Sequence, residues 1–397
     1  FNANNTSYGT LSSSELIIVK GGTYSTSGST LTLSDGRKVT ASPTNATGYT
    51  TIFTGWSPAS GTVNSATTIT ANFSRTINSY TVTYDYKTNG GTSSTKETAT
   101  VNYGTAIDLS PTATKSGYTF VGWNTNKNAT TGLSSLTIET SNVTLYAIFS
   151  KTVTATFNYY DGGAKSTTVS GVTYNNGTTV TIKAPSIANV TIDNTTYTAR
   201  GWSTADAGNA SITVAANGNA SINTNTTYYA SYSYTITATY YYYNGSSYTS
   251  SKPTATGYMN YTGTKIGAKP TTPTVSNPSG WTARGWSTSN SPTGTVAAPG
   301  TITANTTYYY SWQKTVTATL YVYNNSSSTK TGTAYLNYAG NITNASIGLG
   351  TTSLSGYTFR GWSTSNVGNA SITVAANGTA SINTNTTYYA SYSYTIT

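Results

Sequence analysis

The chain has 397 residues, of which 7% are charged, with a net charge of +10, nine Asp and Glu together, and neither His nor Cys. Those absences exclude imidazole catalysis, thiol chemistry, disulfides, and zinc or haem sites built from those ligands. The charge is spread without a basic run, which argues against a nucleic-acid or membrane patch, and an aromatic content of 13% argues against disorder.

In chain order, the first apolar run is Leu16-Ile17-Ile18-Val19, read as a short strand and far below the ~18–20 residues of a membrane-spanning helix. A Gly-Trp pair follows at Trp56, and Ile69-Thr-Ala-Asn-Phe73 closes the first unit. The second unit reads as four strands: Tyr80–Tyr86, Ala99–Tyr103 ending at Gly104, Gly117–Trp123 and Val143–Phe149. Thr alternating with Val, Ile or Tyr is the pattern of a half-buried strand. Asn-Gly and Gly-Gly pairs, as at Asn89-Gly90-Gly91, Asn176-Gly177, Asn217-Gly218 and Asn377-Gly378, supply turns. No segment sustains a 3.6-residue apolar period. At most one short helical turn per unit is predicted, ahead of the Gly-Tyr-Thr strand.

Two markers then repeat in one phase. Gly-Trp recurs at Trp56, Trp123, Trp202, Trp286 and Trp362, at intervals of 67, 79, 84 and 76 residues. An opening strand of the type Tyr/Lys-Thr-Val/Ile-Thr begins at Tyr80, Lys151, Tyr234, Lys314 and Tyr394. Residues 201–237 and 361–397 agree at 33 of 37 positions. The markers divide the chain into modules 1 to 5 at 1–78, 79–150, 151–233, 234–313 and 314–393, with 394–397 opening a further copy. No Pro, Gly or Ser tract separates closing strand from opening strand, so hinge freedom is restricted. Five such modules, each about 30 Å across, would span on the order of 150 Å as an elongated rod. The chain opens on Phe1 and its one Met is Met259, which predicts a processed or excised piece of a longer polypeptide whose array continues.

Small modules without disulfides or metals need large aromatics to build a core. The predicted core residues are Trp56, Trp123, Trp202, Trp286 and Trp362, with Phe73, Phe149, Tyr232, Trp312 and Tyr392 in matched places on the closing strands. The glycine before each tryptophan is expected to mark a bulge that turns the ring inward. Exposed, the same rings would make a carbohydrate-stacking platform instead. Arg200, Arg284 and Arg360 sit two residues before their tryptophans, where the earlier units carry Thr54 and Val121. They read either as a cation row for an anionic glycan or wall polymer, or as strand residues whose stems cover an aromatic ring.

Gly117-Tyr-Thr-Phe-Val-Gly-Trp123 followed by Leu145-Tyr-Ala-Ile-Phe149 resembles the internalin B-type, or Listeria–Bacteroides, repeat. Residues 80–150 carry the likeness best, including Tyr103-Gly104 and Pro111. The first unit resembles a divergent form, and the later units depart further, with Ala199 and Ala283 in place of Phe120. The resemblance implies a mainly β fold, a tandem array of small β-grasp-like modules. It also implies a secreted or surface-anchored setting and a stalk or adhesion role, and it carries no catalytic residues.

Other chemistry is missing. Glu15, Asp35, Asp85, Glu97, Asp108, Glu139, Asp161, Asp193 and Asp206 are scattered singly and repeat in no slot, so no glycosidase pair is expected. There is no calcium loop and no phosphate-binding Gly-Lys-Ser/Thr loop. From Lys252 onward there is no acid to catalyse a Lys–Asn isopeptide bond as a property of the repeat. Asn-x-Ser/Thr sequons run from Asn4 to Asn385 and are open to glycosylation in a competent host, though a turn Asn followed by a strand with outward Thr makes the same pattern. No catalytic residue, cofactor or metal is expected.

These readings predict a non-enzymatic extracellular repeat protein: a rigid stalk, adhesin or filament component of a microbial cell surface. A phage fibre or capsid decoration protein and a glycan-binding surface module are the alternatives. The expected partners are neighbouring repeats or sister chains in a fibrous assembly, and cell-wall or host-surface glycans, with no nucleic acid and no membrane insertion. In Thr239-Tyr-Tyr-Tyr-Tyr-Asn244, Tyr240 and Tyr242 must face opposite to Tyr241 and Tyr243. The outward rings are expected to pack on adjacent modules or on sister chains.

Overall fold

The computed structural model describes residues 1–93 and 96–396, so Thr397, the last residue of the opening of a further copy, lies outside the described residues. The protein is mainly β. No helical turn precedes any Gly-Tyr-Thr strand among the described residues. The helical turn found there is the 3-10 turn Tyr323–Asn325, in a hairpin. The approach to the Gly-Tyr-Thr strand, rich in Thr, Ser and Pro, is coil, which suits residues that compete for backbone hydrogen bonds.

Two compact units are present. One comprises Phe1–Ala155, Val169–Ile182 and Ser221–Asn225, and the other Thr156–Thr168, Lys183–Ala220 and Thr226–Thr397. The first unit holds module 2, whose sheet sets the pattern. Its first strand Ser79–Asp85 pairs antiparallel with the second, Lys96–Asn102. The first strand also lies parallel to the fourth, Val143–Tyr160, with Val82 beside Val143 and Tyr84 beside Leu145. The third, Thr119–Asn124, pairs antiparallel with the fourth. The order is therefore second, first, fourth, third.

Module 1 keeps the inner part of this order. Tyr49–Ser57 pairs antiparallel with Thr70–Ile77, and the two-residue strand Asn2–Ala3 lies parallel to the latter. The rest is a five-stranded antiparallel sheet that has no counterpart among the described residues of module 2. Leu16–Val19, predicted as a strand, is not one. It has no ladder partner among the described residues, and Leu16 and Ile18 pack on the Trp56 core while Ile17 and Val19 face outward.

In the second unit, Thr226–Tyr243 serves module 3 as fourth strand and module 4 as first strand. Thr306–Tyr321 does the same for modules 4 and 5. Parallel pairs recur, with Tyr240 beside Tyr308 and Leu320 beside Tyr388. Each long strand also takes an antiparallel second strand from the following module, Thr254–Asn260 or Ser327–Leu336. These second strands run back past the module boundary, setting Met259 beside Tyr232 and Leu336 beside Trp312.

All five Gly-Trp strands carry a bulge at the same place, between Phe53 and Gly55, Phe120 and Gly122, Ala199 and Gly201, Ala283 and Gly285, and Phe359 and Gly361. The five glycines have φ between 130° and 147°, which L side chains rarely adopt. One extra residue in the strand restores the tryptophan to the core face. That extra residue is Thr54, Val121, Arg200, Arg284 or Arg360.

Candidate functional site

The five tryptophans of the Gly-Trp pairs are all buried and offer no stacking face. A first-strand side chain packs on each of three of them: Tyr84 on Trp123 at 5.1 Å, Phe157 on Trp202 at 4.9 Å, and Tyr240 on Trp286 at 4.8 Å between ring centroids. The indole N–H groups reach backbone oxygens, Trp123 to Pro111 at 2.7 Å and Trp362 to Gly350 at 2.9 Å. The indole nitrogen of Trp56 is enclosed without a partner. Phe73, Phe149, Tyr232 and Trp312 are buried too. Tyr392 is only half-buried, its ring edge-on to Phe359 at 5.7 Å.

What distinguishes this molecule chemically lies at the junctions between modules. In the second unit, the bulge arginines act as clamps. Arg200 Nη1 donates to the carbonyls of Gly208 (3.1 Å) and Ala210 (3.2 Å) and to Ser231 Oγ (2.7 Å). Its guanidinium stands 4.8 Å from the ring centre of Tyr258, a residue of the following module. Arg284 repeats this, donating to Pro292 O, Gly294 O and Ser311 Oγ, with Tyr335 of the next module at 5.2 Å. Arg360 is exposed and donates to Ser391 Oγ at 3.4 Å. Arg200 through Nη1, and Arg284 through Nη1 and Nη2, thus tie down the loop after the tryptophan while their charge lies on a neighbouring ring. Of the two readings of this slot, the contacts at Arg200 and Arg284 fit the arginine that covers an aromatic ring.

A second junction feature is the tyrosine just after the second strand. Tyr103 packs on Tyr49 of module 1 at 6.0 Å. Tyr261 lies 5.3 Å from Tyr229. Tyr338 sits 5.0 Å from both Tyr241 and Tyr309, which stack on one another at 5.5 Å. The outward ring Tyr241 is therefore covered by the adjacent module. Two further rings cross junctions, Tyr160 against Gly263 and Tyr248 against Gly340.

In the first unit, Lys115 and Asn175 tie modules 2 and 3 together. Lys115 Nζ donates to Asn89 O at 2.9 Å, to Asn175 O and to Asn176 Oδ1 at 3.3 Å, and stands 4.0 Å over Tyr118. Burial pushes its ammonium below the usual lysine value. Asn175 accepts from Phe149 N–H and donates to Lys127 O and Ala129 O, both at 3.1 Å.

A further slot realises the turn asparagines that lead into strands, with a cross-strand bond that sequence reasoning missed. The Oδ1 atoms of Asn142, Asn225, Asn305 and Asn385 accept from the backbone N–H of Thr81, Thr154, Thr237 and Thr317, at 2.8–3.0 Å. Each asparagine ties the entry of the fourth strand to the first. All four stand in Asn-x-Thr sequences, and their recurrence at one distance from the closing strand was the signal. Part of the sequon pattern is thus fold chemistry.

Among the described residues no three Asp or Glu side chains gather as a metal site. Asp35 pairs with Arg37 at the surface, and Asp108 caps the turn at Ser110. Asp85 accepts from the N–H groups of Lys87 and Thr88 and closes a turn.

Residues 80–148 and 318–391 match the family model described as the Listeria-Bacteroides repeat domain. These segments are module 2 and nearly all of module 5. Modules 1, 3 and 4 lie outside them, yet share the Gly-Trp bulge with the same register shift. No curated protein matches the chain.

Proposed function

We propose that the protein is a non-enzymatic extracellular structural protein of a microbial surface, acting as a stalk, adhesin or filament component. The observation that carries this reading is the shared strand. Thr226–Tyr243 and Thr306–Tyr321 each close one module and open the next without a linker. Catalytic domains that must move relative to one another are joined by exposed linkers where few contacts cross. Here the junctions carry continuous ladders, aromatic stacks and arginine clamps instead. The low charge, hydroxyl-rich strands and scarcity of Lys and Arg suit a chain that meets proteases outside the cell. Two matches to a repeat domain support the same reading.

Small-angle scattering of the purified chain tests it. A stalk gives the cross-section of one module and a maximum dimension on the order of 150 Å. A particle half that long, or one whose length distribution requires free hinges at residues 233 and 313, overturns the reading. Binding to purified peptidoglycan and to anionic wall polymer, measured with and without Arg360→Ala, tests the adhesin arm separately.

A further inference from the structure

Two tyrosine pairs recur in the same slots of successive modules. Tyr229, on Thr226–Tyr243, stands 5.3 Å from Tyr261, and Tyr309, on Thr306–Tyr321, stands 5.0 Å from Tyr338. Tyr229 and Tyr309 each end a Thr-Thr-Tyr-Tyr run, and Tyr261 and Tyr338 each follow an asparagine, in Tyr258-Met-Asn-Tyr261 and Tyr335-Leu-Asn-Tyr338. The ring planes are tilted by 41° and 43°, which brings an edge of one ring nearer to its neighbour than the centroids are. All four rings are half-buried, so part of each phenol meets solvent. An open cleft of about 480 Å³, bordered by Tyr241, Tyr248 and Tyr338, leads to the second pair.

The composition leaves a one-electron oxidant few other targets. Thiols and thioethers are the groups an oxidant reaches first in most proteins. Here Cys is absent, and the one Met and six of the seven Trp are buried. The surroundings of the rings also select which of them can join. Tyr241 and Tyr309 stack 5.5 Å apart with planes only 7° from parallel, and paired strands hold them face to face. Tyr261 and Tyr338 lie just past the strands Thr254–Asn260 and Ser327–Leu336, on turns that the side chains of Asn260 and Asn337 close. Their rings can therefore move onto a neighbour without opening a ladder.

We propose that Tyr229–Tyr261 and Tyr309–Tyr338 are sites of oxidative modification, at which hydrogen peroxide and a peroxidase join the paired phenols as dityrosine. Each phenol gives up its hydroxyl proton and one electron and becomes a phenoxyl radical with spin on the carbons ortho to oxygen. One ortho carbon of each ring forms the new carbon–carbon bond, and the hydrogens on those carbons pass to the oxygens as the rings regain aromaticity. The two electrons and two protons released reduce the peroxide, so two phenols and one hydrogen peroxide give one dityrosine and two waters. Tyr229 and Tyr309 belong to the closing strands of modules 3 and 4, and Tyr261 and Tyr338 to modules 4 and 5, so each bond ties one module covalently to the next. The inference goes beyond the stalk reading and does not depend on it.

Mass spectrometry of the full 397-residue protein, treated in dilute solution with hydrogen peroxide and a peroxidase and then digested with trypsin, tests it. Tyr309 falls in the peptide 285–314 and Tyr338 in 331–360, while Tyr229 and Tyr261 share 201–265, because Lys252 precedes Pro253 and resists cleavage. Peptide 285–314 should appear joined to 331–360, lighter than their sum by about 2 Da, and 201–265 should lose about the same mass. Tyr338→Phe keeps a ring in place but cannot form a phenoxyl radical. It should abolish the joined peptide and leave the change in 201–265, and Tyr261→Phe should do the converse. Tyr241→Phe should affect neither product. No joined peptide at a dose of oxidant that dimerises free tyrosine overturns the proposal. So does a joined peptide that survives Tyr338→Phe, or a bond from 331–360 to 201–265 in its place.

Discussion

A Cβ built on Gly48 would fall 2.0 Å from Cγ of Tyr103, so the glycine of module 1 and the tyrosine of module 2 form a single contact. The backbone at Gly48 has φ +76°, and Gly48 O accepts from Asn78 N–H at 2.9 Å. Gly48→Ala therefore meets both a strained backbone and a ring. We expect a local loss of about 2–4 kcal/mol, measured as faster limited proteolysis across residues 76–80. In a Tyr103→Ser background the steric part disappears, so the two changes should be clearly non-additive.

The bulge glycines should differ in cost. Each has positive φ, but Gly361 also faces Val374 O at 2.6 Å from its virtual Cβ, while Gly55 meets nothing within 4 Å. Gly55→Ala should cost about 1–2 kcal/mol from the backbone alone, and Gly361→Ala distinctly more. Tryptophan fluorescence in denaturant checks this. Equal losses at both positions would contradict the steric account.

Arg284→Lys should behave like Arg284→Ala in its effect on the loop at 292–294. A guanidinium reaches Pro292 O, Gly294 O and Ser311 Oγ from one planar fork, and an ammonium cannot. Hydrogen exchange should rise several-fold in that loop in both variants and, in Arg284→Ala, also on Ser327–Leu336, whose Tyr335 then loses its cation. Full rescue by Lys would show that charge alone matters.

Alkali should unfold the protein more readily than acid. Burial pushes the phenols of Tyr84, Tyr228, Tyr232, Tyr234, Tyr308, Tyr310 and Tyr388 above their ordinary value of 10.0. Unfolded tyrosines release protons near pH 10 while these hold theirs. Their contribution is complete below about pH 10 and is lost as pH rises through the folded values. On the acid side, the side-chain hydrogen bond from Arg37 lowers Asp35, and the backbone N–H of Ser110 lowers Asp108. Both are at the surface, so the acid limb should be shallow. Melting temperature against pH reads both limbs.

The tryptophan cores were legible because Gly-Trp is local and periodic. One residue type fixes the bulge and the next fills the core. The arginine slot was visible, and so was a contact with an aromatic ring, which Arg200 and Arg284 make; their carbonyl partners were not, since they lie on a loop whose path depends on the bulge. Tyr258 and Tyr335 meet these arginines across a module boundary, through a register set more than fifty residues away in sequence. The Asn142, Asn225, Asn305 and Asn385 slot was hidden inside a sequon pattern with a simpler explanation. Leu16–Val19 misled because hydrophobicity predicts burial, whereas a strand also needs a partner edge, and module 1 gives that edge to other segments.

The parallel pairing of first and fourth strands also fixes how tension would travel. The chain enters module 5 along Thr306–Tyr321 and leaves along Thr386–Ser393, and these neighbours run in one direction, joined from Ala318–Thr386 to Tyr321–Tyr389. Pulling the two ends apart slides one strand along the other. The hydrogen bonds between them are then loaded together in shear, not opened one at a time as in a hairpin peeled from its end. Resistance to such a pull is set by the unfolding barrier and not by equilibrium stability, so a small, weakly charged module of this topology can be mechanically strong while remaining thermodynamically modest.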